Sequence, residues 1–238
     1  MSDAPAAGGA DPSAQFRLPY TVEPTRYAVR LAPDLGAATF RGEVRVDVEV
    51  HEATTEIEMH AAELVVTRAQ LSGHDGTLEV VMDEARERMT LRAGRAIGPG
   101  PASVELEFSG VLNDQLHGFY RSAYTDDAGV QRSLATTQFE ATDARRAFPC
   151  FDEPDRKAVF SITLDVPEGL AAFSNGPAVE EAPLEGGGRR VRFGDTIPMS
   201  TYLVAFVVGP LEATAPMEVR GIPVRVVHAP GKGPLTAY

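Results

Sequence analysis

Alternation with a period of two dominates the chain. From Phe40 to Val50, Val44, Val46, Val48 and Val50 fall on one side and Arg45, Asp47 and Glu49 on the other, the pattern of a strand with one face in a core and the other in water. Comparable stretches predict strands at 27–31, 56–59, 64–71, 78–82, 88–92 and 104–108, and then at 119–124, 159–166, 191–193, 202–208 and 222–227. The stretch from Tyr202 to Val208 is apolar on both faces, which predicts a central strand within a two-sheet core. Asp75-Gly76, Asn175-Gly176 and Gly186-Gly187-Gly188 accept positive φ, so tight reversals are expected there. The one helical signal lies at 142–147. There Thr142 is placed to cap, Asp143 suits the positive end, Arg145 and Arg146 suit the negative end, and Pro149 stops the turn. With no heptad and no internal repeat, the expectation is an all-β antiparallel β-sandwich with one short helix near 142–147.

Composition narrows the function classes. A length of 238 residues with 43% apolar content supports the core of one large β domain. The net charge of −12 argues against nucleic acid and anionic membrane surfaces as partners, because both reward clustered Lys and Arg. No apolar run approaches the roughly 18 residues of a spanning helix. Cys150 is the only cysteine, so no intrachain disulfide forms and a reducing, cytoplasmic location is expected. Between Pro149 and Phe151 it reads as a packed apolar residue without chemistry. Residues 1–15 lack the basic and apolar regions of a secretory signal and read as a flexible tail. The absence of Trp argues against a carbohydrate-binding sandwich. His51, His60, His74, His117 and His228 include no pair four apart, and Thr55 stands where His51-Glu52 would need its second histidine. No metal site is therefore expected in this chain.

The most specific stretch is 136–154, TTQFEATDARRAFPCFDEP. In an extended backbone Gln138 and Glu140 share one side and Phe139 takes the other, so an amide able to bond a peptide backbone stands beside a carboxylate able to hold a cation such as a peptide's free N-terminus. Asp152 and Glu153, adjacent in a turn between Phe151 and Pro154, are expected to point apart in structural roles. Arg145 or Arg146 would be an ion-pair partner, with Arg121 a further structural candidate.

This stretch closely resembles the zinc aminopeptidase family that includes aminopeptidase N and the puromycin-sensitive enzyme, in which T-Q-x-E/Q precedes a D-A-R turn and F-P-C-F-D-E-P. The likeness extends to Gly118-Phe119-Tyr120-Arg121-Ser122, to Thr201-Tyr202-Leu203-Val204-Ala205-Phe206, and to the segment from Tyr20 to Tyr27 around Pro24. The resemblance implies a saddle-shaped N-terminal domain over 16–229 and a stub at 230–238, after the P-G-K-like turn at Pro230-Gly231-Lys232, leading toward a missing thermolysin-like catalytic domain. It implies a zinc ion in the full-length enzyme, held by an H-E-x-x-H helix after a G-A-M-E-N strand. Neither motif is in this chain, which should be inactive alone and bind no zinc. It further implies that Glu140 binds the substrate's terminal ammonium and Gln138 the first residue. The peptide Glu140–Ala141 is expected to be cis, as in relatives with Pro at the second position. The alternative is a non-catalytic binding or scaffold module of the same fold. Retention of Gln138 and Glu140 favours the aminopeptidase reading, since a scaffold has no use for an ammonium site.

Overall fold

The computed structural model describes residues 16–236; the expected tail at 1–15 lies outside them. In chain order the strands are β1 (Val22–Asp34), β2 (Thr39–Val50), β3 (Thr54–His60), β4 (Leu64–Leu71), β5 (Glu79–Asp83), β6 (Arg88–Ile97), β7 (Gly100–Val111), β8 (Gly118–Thr125) and β9 (Gln131–Gln138). They continue with β10 (Val159–Val166), β11 (Ala171–Ser174), β12 (Ala178–Pro183), β13 (Arg189–Phe193), β14 (Phe206–Gly209), β15 (Glu212–Ala213), β16 (Met217–Val219), β17 (Ile222–Val224) and β18 (Val227–His228). A seven-stranded sheet has the order β12-β13-β10-β1-β2-β7-β4, a four-stranded sheet β11-β14-β9-β8, and a three-stranded sheet β3-β6-β5. Ladders between neighbouring strands are antiparallel except that between β1 and β10, which run parallel. The fold is the all-β sandwich that the alternation predicts.

Period-two burial builds the layers. Val44, Val46, Val48 and Val50 of β2, with Val104, Leu106 and Phe108 of β7 and Phe160, Ile162 and Leu164 of β10, turn inward. The other face of the same sheet is laced by cross-strand ion pairs such as Arg30 with Asp165 and Arg68 with Glu107. Phe40 of the large sheet meets Phe119 of the four-stranded sheet edge to face at 5.2 Å, and Phe119 meets Phe206 at 4.9 Å, so the two sheets share one core. On β2 and β7, Phe40 lies opposite Gly110 and Gly42 opposite Phe108. Each ring fills its partner's missing side chain: a Cβ on Gly42 would stand 2.4 Å from Phe108, and one on Gly110 2.4 Å from Phe40.

Three expectations are corrected. The stretch from Tyr202 to Val208 is not one strand: Thr201–Leu203 forms a 3-10 turn and β14 begins only at Phe206. The cause is Asn175, whose side-chain amide donates to the Leu203 carbonyl at 2.9 Å and accepts from the Ala205 N–H at 2.8 Å, taking the bonds that a sheet neighbour would make. Asn175-Gly176 is accordingly no positive-φ reversal, although the reversals at Gly76 and Gly186–Gly188 are. Gly176 is needed because a Cβ there would stand 2.6 Å from the Gly194 carbonyl oxygen. The expected helix near 142–147 is a single 3-10 turn, Ala144–Arg146, preceded by Asp143 with no side-chain cap, so Thr142 does not cap it.

The turn at 151–156 ties these layers together. Asp152 accepts from the Thr201 hydroxyl and from the backbone and guanidinium of Arg145. Glu153 faces the other way, accepting from the Leu18 N–H at 2.7 Å and pairing with Arg156 at 3.4 Å. Arg156 is buried and donates to the carbonyls of Leu18, Pro19 and Val22, with the Tyr20 ring 3.8 Å from its guanidinium carbon. The Tyr27 hydroxyl, on a ring stacked on Phe160 at 4.8 Å, accepts from the Phe151 N–H. Cys150, free and buried, exchanges backbone hydrogen bonds with His60. The Nδ1 of His60 then accepts from the Asp152 N–H at 3.2 Å. Burial, reinforced by the charges of Arg145, Arg88 and Arg156, lowers the His60 pKa from 6.5 to about 3, so the ring stays neutral and keeps this acceptor.

Two outcomes test this anchor. Arg156→Met strands the Glu153 carboxylate and three carbonyls and should lower the unfolding free energy by about 3–5 kcal/mol in urea titration; Arg26→Met, at the exposed pair with Asp195, should cost less than about 1 kcal/mol. His60 has the opposite sign to a paired histidine, because the unfolded chain takes a proton near 6.5 and the folded chain only near 3. Its contribution is complete above pH 6.5 and is lost as pH falls toward 3, by up to about 1.4 kcal/mol per pH unit. His60→Asn, which retains an acceptor for the Asp152 N–H, should flatten that part of the stability profile; parallel profiles for the two proteins would refute the assignment.

Candidate functional site

β9 delivers the candidate residues. Its last ladder pair sets Gln138 opposite Gly118 of β8, and the chain then passes through Phe139 into a tight loop. Phe139 is buried and meets Phe148 at 6.1 Å and Phe206 at 5.9 Å, both edge to face. Gln138 and Glu140, on either side of it in sequence, are exposed. The inward Phe thus fixes the outward placement of its two polar neighbours, as the alternation requires. The Glu140–Ala141 peptide is cis, as expected, and the Asp143 N–H closes the loop by donating to the Phe139 carbonyl at 2.9 Å.

Ion pairs hold the far side of this loop. The Asp143 carboxylate receives Arg146 Nε at 2.9 Å and lies 3.3 Å from His117 Nδ1. Arg146 extends further, to Glu87 at 2.5 Å and to Glu63, while Arg145 spans Asp152 and Glu87, each at 3.1 Å. Glu63 and Glu87 both adopt left-handed backbone, with φ of 57° and 54°. Gly118, at φ 68°, lies so close that a Cβ would stand 2.8 Å from that of Arg146, so β8 presses directly on the clamp. Of the expected ion-pair partners, Arg145 engages Asp152, Arg146 engages neither Asp152 nor Glu153, and the Arg121 side chain makes no ion pair among the described residues. The sequence reading missed His117, Glu63 and Glu87. Only the G-F-Y-R-S likeness next to His117 pointed near them, since a Glu at positive φ follows no local pattern.

The four carboxylates of the 136–154 stretch thus divide sharply. Asp143, Asp152 and Glu153 are each engaged by an arginine. Glu140, and Gln138 beside it, have no side-chain partner among the described residues. The arrangement leaves an uncommitted carboxylate and an amide exposed on this loop, able to bind a cationic, hydrogen-bonding group.

The residues present do not fit a zinc ion. Among the described residues no three His, Cys, Asp or Glu side chains are grouped to hold a metal. His51 is bonded to Glu23 at 2.7 Å, His117 lies between Asp143 and Gln115, and His228 donates to the Ala229 carbonyl. His60 is buried at its turn.

Comparison with known proteins follows the same lines. The family model described as the peptidase M1 N-terminal domain matches residues 23–203. The puromycin-sensitive aminopeptidase of Caenorhabditis elegans is 41% identical over 233 residues, 95% of this chain and 25% of that protein. Aminopeptidase M1 of Arabidopsis thaliana is 44% identical over 69% of this chain and 20% of its own length. The alanine/arginine aminopeptidase of Saccharomyces cerevisiae is 40% identical over 90% of this chain and 25% of its own. The chain therefore spans a quarter or less of these relatives, and it belongs to the peptidase M1 N-terminal domain family.

Proposed function

We propose that this chain is the substrate-recognition domain of a zinc-dependent aminopeptidase that removes N-terminal residues from peptides. Glu140 binds the terminal ammonium and Gln138 the backbone of the first residue. The zinc ion, the attacking water and the general base belong to a catalytic portion outside this chain, since no donor set among the described residues suits a metal; the catalytic part of the relatives is the partner that completes the site. The observation that carries the reading is the exposed, unpaired Glu140 on a loop whose other carboxylates are all committed. A carboxylate without a cation of its own gains a charge-assisted bond when a ligand supplies one. A blocked N-terminus would leave that anion unpaired, so the same contact selects for free amines. No helix among the described residues is long and apolar enough to cross a membrane, and the lone buried thiol of Cys150 supports a cytoplasmic setting.

The test joins this chain to the portion of the Caenorhabditis elegans relative that the match leaves uncovered. Glu140→Ala in that protein should lower kcat/KM on amides of free amino acids by about tenfold to a hundredfold, the range for losing one charged hydrogen bond. Thermal stability should be unchanged, because the exposed side chain makes no hydrogen bond or ion pair among the described residues. Kinetics equal to those of the parent would overturn the assignment.

A further inference from the structure

Both halves of the Asn175-Gly176 pair are demanded by the fold, for unrelated reasons. The Asn175 carboxamide donates to the Leu203 carbonyl at 2.9 Å and accepts from the Ala205 N–H at 2.8 Å, while the Ser174 hydroxyl donates to the Ala205 carbonyl at 2.9 Å. These three bonds fasten the end of β11 to the entry of β14. Gly176 is dictated by Gly194, whose carbonyl oxygen leaves no room for a Cβ and whose N–H donates to the Pro177 carbonyl at 2.8 Å. The resulting pair is chemically labile. A residue followed by glycine has no neighbouring side chain to shield the next backbone nitrogen, and that nitrogen lies within reach of the asparagine's own carboxamide carbon, so the two can close a succinimide ring. Asn175 is exposed, so water reaches a ring formed there, and the Gly176 N–H donates to no backbone carbonyl among the described residues. Asn113, the only other asparagine, precedes Asp114 rather than glycine, and its side chain is held by the Gln115 N–H and the His117 carbonyl.

We infer that Asn175 is a site of spontaneous covalent self-modification, gated by the bonds that fasten β14. The deprotonated Gly176 nitrogen attacks Asn175 Cγ, the Cγ–Nδ2 bond breaks, and the proton lost by Gly176 is balanced by the one taken up as ammonia departs. Water then opens the succinimide at one carbonyl or the other, giving aspartate or isoaspartate, with no oxidant, metal or partner required. To react, the carboxamide must turn away from Leu203 and Ala205 onto its own backbone, so the reaction proceeds only from the locally opened state. The product does not restore the fastening. With aspartate, the Leu203 carbonyl faces a carboxylate oxygen where it had a donor, which leaves the acceptor unsatisfied; isoaspartate also lengthens the backbone between β11 and Gly176. The effect extends along β14, because the Phe206 N–H donates to Thr137 Oγ1 at 3.2 Å and the Phe206 ring meets Phe139 at 5.9 Å. The strand that loosens is therefore the one that supports Gln138 and Glu140. The modification site itself stands on the fold alone, whatever Glu140 binds.

The experiment incubates the 238-residue chain in mildly alkaline buffer, native and in urea, and follows residue 175 by peptide mapping that separates asparagine, aspartate and isoaspartate. Native conversion should be measurable and slower than in urea by about tenfold to a hundredfold, the scale of releasing two hydrogen bonds. Equal rates would overturn the gating, and no native conversion would overturn the site. Ser174→Ala removes one fastening bond without touching the reacting atoms; it should quicken the native reaction severalfold and leave the urea rate unchanged, and an unresponsive native rate would reject the gating. Asn113 should stay intact in the native chain, and conversion there as fast as at residue 175 would reduce the result to general ageing and overturn the inference. Asn175→Asp should raise amide exchange at Phe206 and Val207 by about tenfold, as for one lost hydrogen bond, with exchange in β2 and β7 unchanged. Undisturbed exchange in β14 would reject the loosening. If that variant does not fold, the wild-type chain converted after folding gives the same reading.

Discussion

Two neighbouring carboxylates taken out of water, Asp152 and Glu153, constrain the rest of this molecule. A buried charge must be matched by a cation and by hydrogen bonds or it is strongly destabilising, and here the two solutions diverge. Asp152 recruits Arg145 and Thr201, drawing in the 3-10 turn after β9 and the approach to β14. Glu153 recruits Arg156 and the Leu18 N–H, drawing in the segment that precedes β1. His60 and Tyr27 then add neutral partners for the backbone of the same turn, from β3 and β1. Segments remote in sequence are thus held at one point by groups whose separation would leave a charge without a counterpart.

That arrangement also holds the loop bearing Glu140 at both ends. Its beginning is fixed by Phe139 in the aromatic cluster and its end by Arg145 and Arg146, whose four carboxylate partners are Glu63 between β3 and β4, Glu87 between β5 and β6, Asp143 of the loop itself and Asp152 of the turn that follows. The wide spacing of the supporting residues along the chain also means that the rim is a product of the whole domain.

Much of the architecture was legible in the sequence because one-sided burial writes itself as alternation. β4 and β10 coincide with the stretches read from the pattern, and β1, β2 and β7 extend beyond them. β12 was not legible: Ala178–Pro183 is exposed throughout on the edge of its sheet, so no alternation is imposed on it. The stretch from Tyr202 to Val208 misled because apolar residues report burial but not hydrogen-bond partner, and a side-chain amide from Asn175 had displaced the ladder. At the candidate site, the opposed placement of Phe139 and its neighbours followed from two-residue periodicity. The clamp of Asp143, Arg146, Glu63 and Glu87 did not, since it joins residues that only the tertiary fold brings together.

The parallel pairing of β1 with β10 carries a consequence for biosynthesis. β1, β2 and β7 are successive antiparallel neighbours in the sheet, but the outer edge of β1 has no neighbour until Val159–Val166 has left the ribosome. Through that interval a long strand with Tyr27, Val29 and Leu31 on one face offers unpaired backbone to any passing chain. Arg26 and Arg30, spaced along the same edge, place like charges there that disfavour association between two nascent copies until β10 closes the sheet.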